Sequence, residues 1–86
     1  MLNNDETINK FVIVKTFHQS MPDAPTVSMY AYANDRCADE RINVADTDAW
    51  TLETRLANNG YTSRAESHIF DNSIIVSVSV WEQTNT

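Results

Sequence analysis

The sequence predicts a single α+β domain with the element order β-β-α-β-β. Two pairs of apolar, strand-like segments flank one segment that has helical spacing and a clear stop signal. A chain of 86 residues is long enough for one compact core. We therefore expect the four strands to form one antiparallel sheet, with the helix packed on one face of that sheet.

The first pair of predicted strands runs from Phe11 to Phe17 and from Val27 to Asn34. The first strand opens with four consecutive apolar residues, which is typical of an interior strand. The second strand alternates small apolar residues with serine and tyrosine, which indicates two different faces. The segment from Gln19 to Pro25 holds both prolines of the chain, so we expect a connection there.

The region from Asp35 to Ala45 is strongly charged. We interpret it as a second connection, because it lacks a continuous apolar pattern. Ile42 and Val44 alternate with polar neighbours and predict at most a short extended stretch.

A helix is predicted to begin at Asp46, Thr47 and Asp48, whose side-chain oxygens suit the N-cap or the first turn of a helix. It is predicted to end at 58–60, where Gly60 is the single glycine of the chain and suits a left-handed residue after the helix. The apolar residues between these signals recur at helical spacing and predict one buried stripe. The stripe consists of Ala49, Leu52, Leu56 and Ala57.

The second strand pair runs from Thr62 to Phe70 and from Ser73 to Glu82. Asp71 and Asn72 lie between the two strands and suit a two-residue turn. The last strand alternates strictly, so its two faces differ. We predict that Ile74, Val76, Val78 and Val80 share the face under the helix, and that Ile75, Ser77, Ser79 and Trp81 share the other.

One helix covers one face of such a sheet, and the opposite face is predicted to be too apolar to remain in water. Large exposed apolar patches, and tyrosine and tryptophan in particular, are typical of interaction surfaces. Two alternatives stay open: the connections or the chain ends fold over this face, or the register is shifted by one residue and the faces exchange. The predicted interface residues are Val12, Val14, Tyr30, Tyr32, Ile75 and Trp81.

The chain is acidic, with 12 acidic and 6 basic residues and a formal net charge of −6. This charge opposes binding to nucleic acid or to an anionic membrane and favours a basic protein partner. The alternative is that the charge serves solubility alone. The densest acidic stretch is the predicted partner-binding site, with Asp35, Asp39, Glu40, Asp46 and Asp48.

Cysteine usage and hydropathy predict a soluble cytoplasmic protein. The lone Cys37 excludes an internal disulfide, which fits a reducing compartment. No apolar run is long enough to span a bilayer, and the polar, acidic start does not resemble a secretory signal. We expect the ends, 1–7 and 83–86, to be loosely held.

No motif predicts a catalytic site, a metal site or a cofactor. Cys37, His18 and His68 are the evident candidates for a nucleophile and a base, but acidic neighbours oppose formation of a thiolate at Cys37. The acidic residues lack the spacing and the glycine of a calcium loop. Nucleic-acid stacking on Tyr30, Tyr32 and Trp81 would need a basic groove, which the composition does not supply.

The sequence therefore favours a non-enzymatic, acidic protein-binding module with a basic partner, and self-association is also open. Small acidic proteins of this kind include inhibitors encoded by viruses and mobile elements, which act in the host cytoplasm and occupy nucleic-acid-binding surfaces. The alternative is a small homodimeric ligand-binding or enzymatic domain with a pocket at the sheet interface.

Overall fold

The computed structural model describes residues 7–70 and 73–83, with the side chains of residues 21–24 left out. Within these residues the chain forms five strands and one helix. All neighbouring strands are antiparallel, and their spatial order is β3-β2-β1-β5-β4. The elements are β1 (Lys10–His18), β2 (Met21–Ala33), β3 (Arg36–Val44), α1 (Asp46–Asn58), β4 (Tyr61–Phe70) and β5 (Ile74–Gln83).

The helix connects the two edge strands of the sheet. β3 lies at one edge and β4 at the other, so α1 must cross one face between them. The α+β architecture with one helix on one sheet face is as predicted. The prediction of a four-stranded sheet with the order β-β-α-β-β was wrong, because the structure adds β3 before the helix.

The sequence does not identify β3 as a strand, because β3 has the composition of a charged edge strand rather than of a core strand. Most of its residues, from Arg36 to Val44, are exposed. Its ladder with β2 is interrupted by two register shifts, and Asn43 at the second shift has a φ of 60°. Charges and bulges are common in edge strands because they hinder pairing with further chains.

β2 is longer than predicted. It begins at Met21, which pairs with His18 across a short turn, and the ladder with β1 is irregular from there to Thr26. Pro22 and Pro25 lie inside this irregular stretch. A proline is tolerated in a strand at such a bulge, because its missing N–H is not needed there. The predicted connection at 19–25 is therefore a two-residue turn followed by a bulged strand.

The predicted loose ends and the predicted Asp71-Asn72 turn lie largely outside the described residues. Two residues of the predicted ends are described. Thr7 precedes β1, and Gln83 is the last residue of β5, where it pairs with Tyr61.

The core lies where α1 crosses the central strands. Ile13 of β1, Val27 of β2 and Ala49 of α1 are at most 1% exposed. The short side chain of Ala49 allows the helix backbone to approach the sheet closely. The surrounding half-buried residues are Met29, Val44, Leu52 and Trp81.

Lys15 of β1 forms ion pairs with two carboxylates of α1. The Nζ atom of Lys15 lies 3.6 Å from a carboxylate oxygen of Asp46 and 3.4 Å from one of Glu53. The Lys15 and Glu53 side chains are about three-quarters buried (25% and 24% exposed), so this contact is less screened than a surface ion pair. It also shows which face of β1 lies under the helix.

The ends of the helix differ in how they are capped. Ala45 is the N-cap and makes no side-chain bond, so Asp46 and Asp48 act through their charge in the first turn. At the other end the Asn59 side chain donates to the carbonyl of Arg55 at 2.7 Å. Gly60 follows with a φ of 84°, as the sequence predicts.

We expect Gly60→Ala to lower the free energy of unfolding by about 1 kcal/mol, because a side chain disfavours positive φ. No atom lies within 4 Å of the position of the added Cβ, so backbone strain alone would cause this loss. Chemical denaturation measures it. Asn58→Ala, in the last turn of the helix, is the matched control and should not destabilise the protein. Equal stability of both variants would contradict the left-handed cap.

Candidate functional site

We call the sheet face opposite α1 the open face. The strand registers place on it those residues of β1, β2 and β5 that alternate with the residues under the helix. Lys15 and Ile13 mark the helix side, so their neighbours Val12 and Val14 point the other way. The apolar and aromatic residues of the open face on the three central strands are Val12, Val14, Tyr30, Tyr32, Ile74, Val76, Val78 and Val80.

Of the predicted interface residues, the structure places Val12, Val14, Tyr30 and Tyr32 on the open face and Ile75 and Trp81 on the helix side. Trp81 pairs with Phe11, and Ile75 pairs with Phe17, on the helix side. Trp81 also packs against the buried core. The alternative in which the two faces are exchanged therefore holds for β5 and not for β1 or β2.

The prediction that the valine face of β5 lies under the helix was wrong. Hydropathy favours the valines as the buried face, but the structure places them on the open face. Under the helix β5 instead presents Ser77 and Ser79, whose short side chains leave room for α1. The Ser79 hydroxyl is also bonded internally: it accepts from Nε1 of Trp81 at 3.2 Å and donates to the carbonyl of Ile13 at 3.5 Å. The two serines on one face of β5 were the sequence signal that could have identified the face under the helix.

The open face has no cover from the described part of the chain. Every described element other than α1 is a strand of the sheet, and α1 lies on the other side. The central valines are half-buried by their strand neighbours alone. At the margins Ile42 of β3 is 58% exposed and Phe70 of β4 is 52% exposed. Each edge strand thus adds one large apolar residue to the apolar surface of the three central strands.

Charged residues surround this apolar surface. Nζ of Lys10 lies 5.1 Å from the centre of the Tyr32 ring, a cation–π contact at one corner. Glu40 of β3 is the cross-strand partner of Tyr30, and Glu66 of β4 is that of Val78. An apolar centre with a charged rim is the usual composition of a protein-protein interface.

The five predicted partner-binding acids do not share one surface. Glu40 alone borders the open face. Asp39 and Asp48 line a groove on the helix side, and Asp46 binds Lys15. Asp35 lies in the turn between β2 and β3. Adjacent strand residues point to opposite faces, so a dense stretch of acids in the sequence becomes divided in the sheet.

The groove on the helix side lies between α1 and strands β2 and β3 and has a volume of about 430 Å³. Its rim carries charges of both signs. Arg41 donates to Asp39 at 3.4 Å, and Arg55 lies on the helical rim with Asp48. The groove is therefore balanced in charge rather than acidic. Its apolar lining includes Phe11, Met29, Ala31, Val44 and Leu52.

The three candidate residues for nucleophilic chemistry do not meet. Cys37 lies level with Lys10, at one end of β1. His18 lies at the other end of β1, and strand geometry separates Lys10 from His18 by about 26 Å. His68 lies level with β5 residue Val76, near the His18 end. The sheet therefore places the cysteine and the two histidines in no common site.

The described residues contain no group of three His, Cys, Asp or Glu side chains arranged to hold a metal ion. No helix in the described ranges is long and apolar enough to cross a membrane. Comparisons of this chain with protein-family models, with curated proteins and with solved structures gave no match.

We expect Val14→Thr on the open face to lower the free energy of unfolding by less than about 1 kcal/mol, because its hydroxyl can reach water. The same change at the fully buried Val27 should cost roughly 1–3 kcal/mol, since the hydroxyl would be buried. Urea denaturation of both variants compares the faces directly. Equal, large losses would show that the open face is covered in solution.

Proposed function

We propose that this protein is a non-enzymatic protein-binding module that docks a partner on its open face. The observation that supports this proposal is a continuous apolar surface, formed by valines and tyrosines, on the side of the sheet that α1 does not cover. Such a surface is costly to leave in water, and it is larger than scattered apolar residues would produce. A protein partner would bury it.

The charges of the open face favour a protein over a nucleic acid. Its two permanently basic residues within the described ranges, Lys10 and Arg64, are outnumbered by three glutamates on the same face, Glu40, Glu66 and Glu82. Glu40 and Glu66 add negative charge at the two margins. A nucleic acid would need free cations along its backbone, so the aromatic residues here are better suited to an apolar protein surface.

The partner should carry an apolar patch flanked by basic residues. Glu40 and Glu66 lie on opposite edges of the sheet, so basic groups on both sides of the patch would complement them. If the partner binds nucleic acid, the inhibitor form of this proposal requires that the protein and the nucleic acid compete.

The partner can be identified by photo-crosslinking in the source cell. A photoreactive amino acid at Val78 of the open face should capture it, whereas the same group at Thr54, on the exposed side of α1, should not. The captured protein is then purified for binding measurements. Equal capture from both positions would contradict docking on the open face.

We expect Val14→Lys and Val78→Lys each to weaken binding of the purified partner at least about tenfold, because a charge would be buried at the centre of the interface. Thr54→Lys adds the same charge on the helix and is the matched control. Isothermal titration calorimetry measures the affinities, and circular dichroism checks the fold. Unchanged affinity in both valine variants would refute the proposal.

We expect Glu40→Lys to slow association with this partner and to reduce the dependence of the rate on salt, because rim charges act mainly on encounter. Asp35→Lys changes the charge of the chain by the same amount at the β2–β3 turn and is the control. Stopped-flow measurements at several salt concentrations give both rates. An equal effect of the two changes would indicate a general charge effect rather than a contact beside the open face.

A further inference from the structure

The edge strand β4 has an outer side that is regular along its whole length. Its ladder with β5 pairs all ten residues from Tyr61 to Phe70 without a register shift. The opposite edge, β3, is interrupted by two shifts and by the left-handed Asn43. Bulges protect an edge from pairing with another chain, and β4 lacks them. Its outer N–H and C=O groups thus form an uninterrupted template for a further strand.

The sequence of β4 is nearly symmetric in its chemistry about Ala65. Arg64 and Glu66 flank the centre with opposite charges, and Ser63 and Ser67 flank these with identical side chains. In an antiparallel pair related by a two-fold axis through Ala65, residues equally distant from the centre face each other. Arg64 of each copy would then lie opposite Glu66 of the other copy, and Tyr61 would lie opposite Ile69.

We propose that β4 pairs with β4 of a second copy of this chain, antiparallel and centred on Ala65, so that two sheets join into one. The two-fold axis of such a pair is perpendicular to the sheet. Each side chain therefore lies opposite a side chain on the same face of the joined sheet. The axis passes between one residue and the same residue of the second copy. A centre at Arg64 or at Glu66 would place like charges opposite each other, which is unfavourable. Charge complementarity thus selects Ala65.

The side chains of β4 fit this arrangement. Arg64 is 77% exposed and donates one bond to Glu82, so its remaining donors can reach Glu66 of the second copy. Ile69 is the most exposed large apolar residue in the described ranges, at 69%. The pairing would bring it beside the Tyr61 ring of the other copy. On the helix side Ser63, Ala65 and Ser67 are short, so they can face their counterparts across the axis without a steric clash.

This pairing goes beyond the proposed docking function, because it uses the edge of the sheet and leaves the three central strands of the open face free. Arg64 and Glu66 lie at the margin of that face, so in the dimer Glu66 would contact the second copy. Both helices would lie on the same side of the joined sheet. Both open faces would lie on the other side.

Charge exchange within β4 tests the register. Sedimentation equilibrium of the full chain should show a dimer at tens of micromolar. Arg64→Glu alone and Glu66→Arg alone should each weaken it at least about tenfold, because like charges would then face each other across the pair. The double variant Arg64→Glu/Glu66→Arg restores opposite charges and should restore the dimer. Arg41→Glu on the other edge strand is the control and should leave the dimer intact.

A disulfide across the axis tests the geometry. In antiparallel pairs the facing Cα atoms are about 4.5–5.5 Å apart, within the range of a disulfide. In a Cys37→Ser background, Ala65→Cys should form a covalent dimer rapidly under mild oxidation, and Glu40→Cys on β3 should not. A monomeric chain, a dimer insensitive to the charge exchange, or equal crosslinking from both edges would overturn the proposal. A dimer that Val78→Lys dissociates would also overturn it, in favour of association through the open face.

Discussion

The fold depends on a single crossing of the sheet by one helix. α1 must link the two edge strands, so it spans a sheet of five described strands with 13 residues. A helix of this length is about 20 Å long and about 10 Å wide, whereas strands of nine or ten residues are about 30 Å long. One helix therefore covers part of one face. The fully buried residues Ile13, Val27 and Ala49 are concentrated under the crossing.

The apolar surface that the helix does not reach follows from the same constraint. On the helix side, Ile69 and Ile75 remain 69% and 44% exposed toward the end of β4 and the start of β5. On the open face the central valines have strand neighbours and no covering element among the described residues. The electrostatic contact of Lys15 with Asp46 and Glu53 holds the helix at its crossing point, but it buries no apolar surface at the ends of the strands. The open face and the exposed isoleucines at the end of the β4–β5 pair thus both result from having a single short helix for a sheet of five described strands.

The sequence could predict those elements whose signals are local. The apolar run at the start of β1, the alternation of β5 and the glycine after α1 each identify an element without knowledge of its neighbours. β3 could not be recognised in this way, because an exposed edge strand needs no apolar alternation and Arg36–Val44 has almost none. The faces of β5 depend on which side the helix takes. Ser77 and Ser79 lie on the helix side and the valines on the other, whereas hydropathy alone predicts the opposite arrangement.

The candidate site could be predicted in part, because some of its residues lie on strands that local sequence signals identify. Val12, Val14, Tyr30 and Tyr32 lie on strands whose faces can be read from alternation, and all four are on the open face. The acidic stretch does not form one surface, because it spans a turn, a strand with a bulge and the start of a helix. Its members consequently separate, with Glu40 beside the open face and Asp39 and Asp48 beside the groove. Proximity along the chain predicts proximity in space within a helix turn, but not across a strand with alternating faces.

Pairing of two copies through β4 must overcome repulsion between two chains of net charge −6. At physiological salt the interaction between exposed charges is largely screened beyond about 8 Å, so distant carboxylates oppose the pairing weakly. Arg64 and Glu66 would instead meet at contact distance, where screening is weaker. The local charge order of β4 therefore matters more than the total charge, and a strongly acidic chain can still bind its own copy. The joined sheet would present two open faces in one surface, and a partner with two matching sites would bind it more tightly than it binds either face alone.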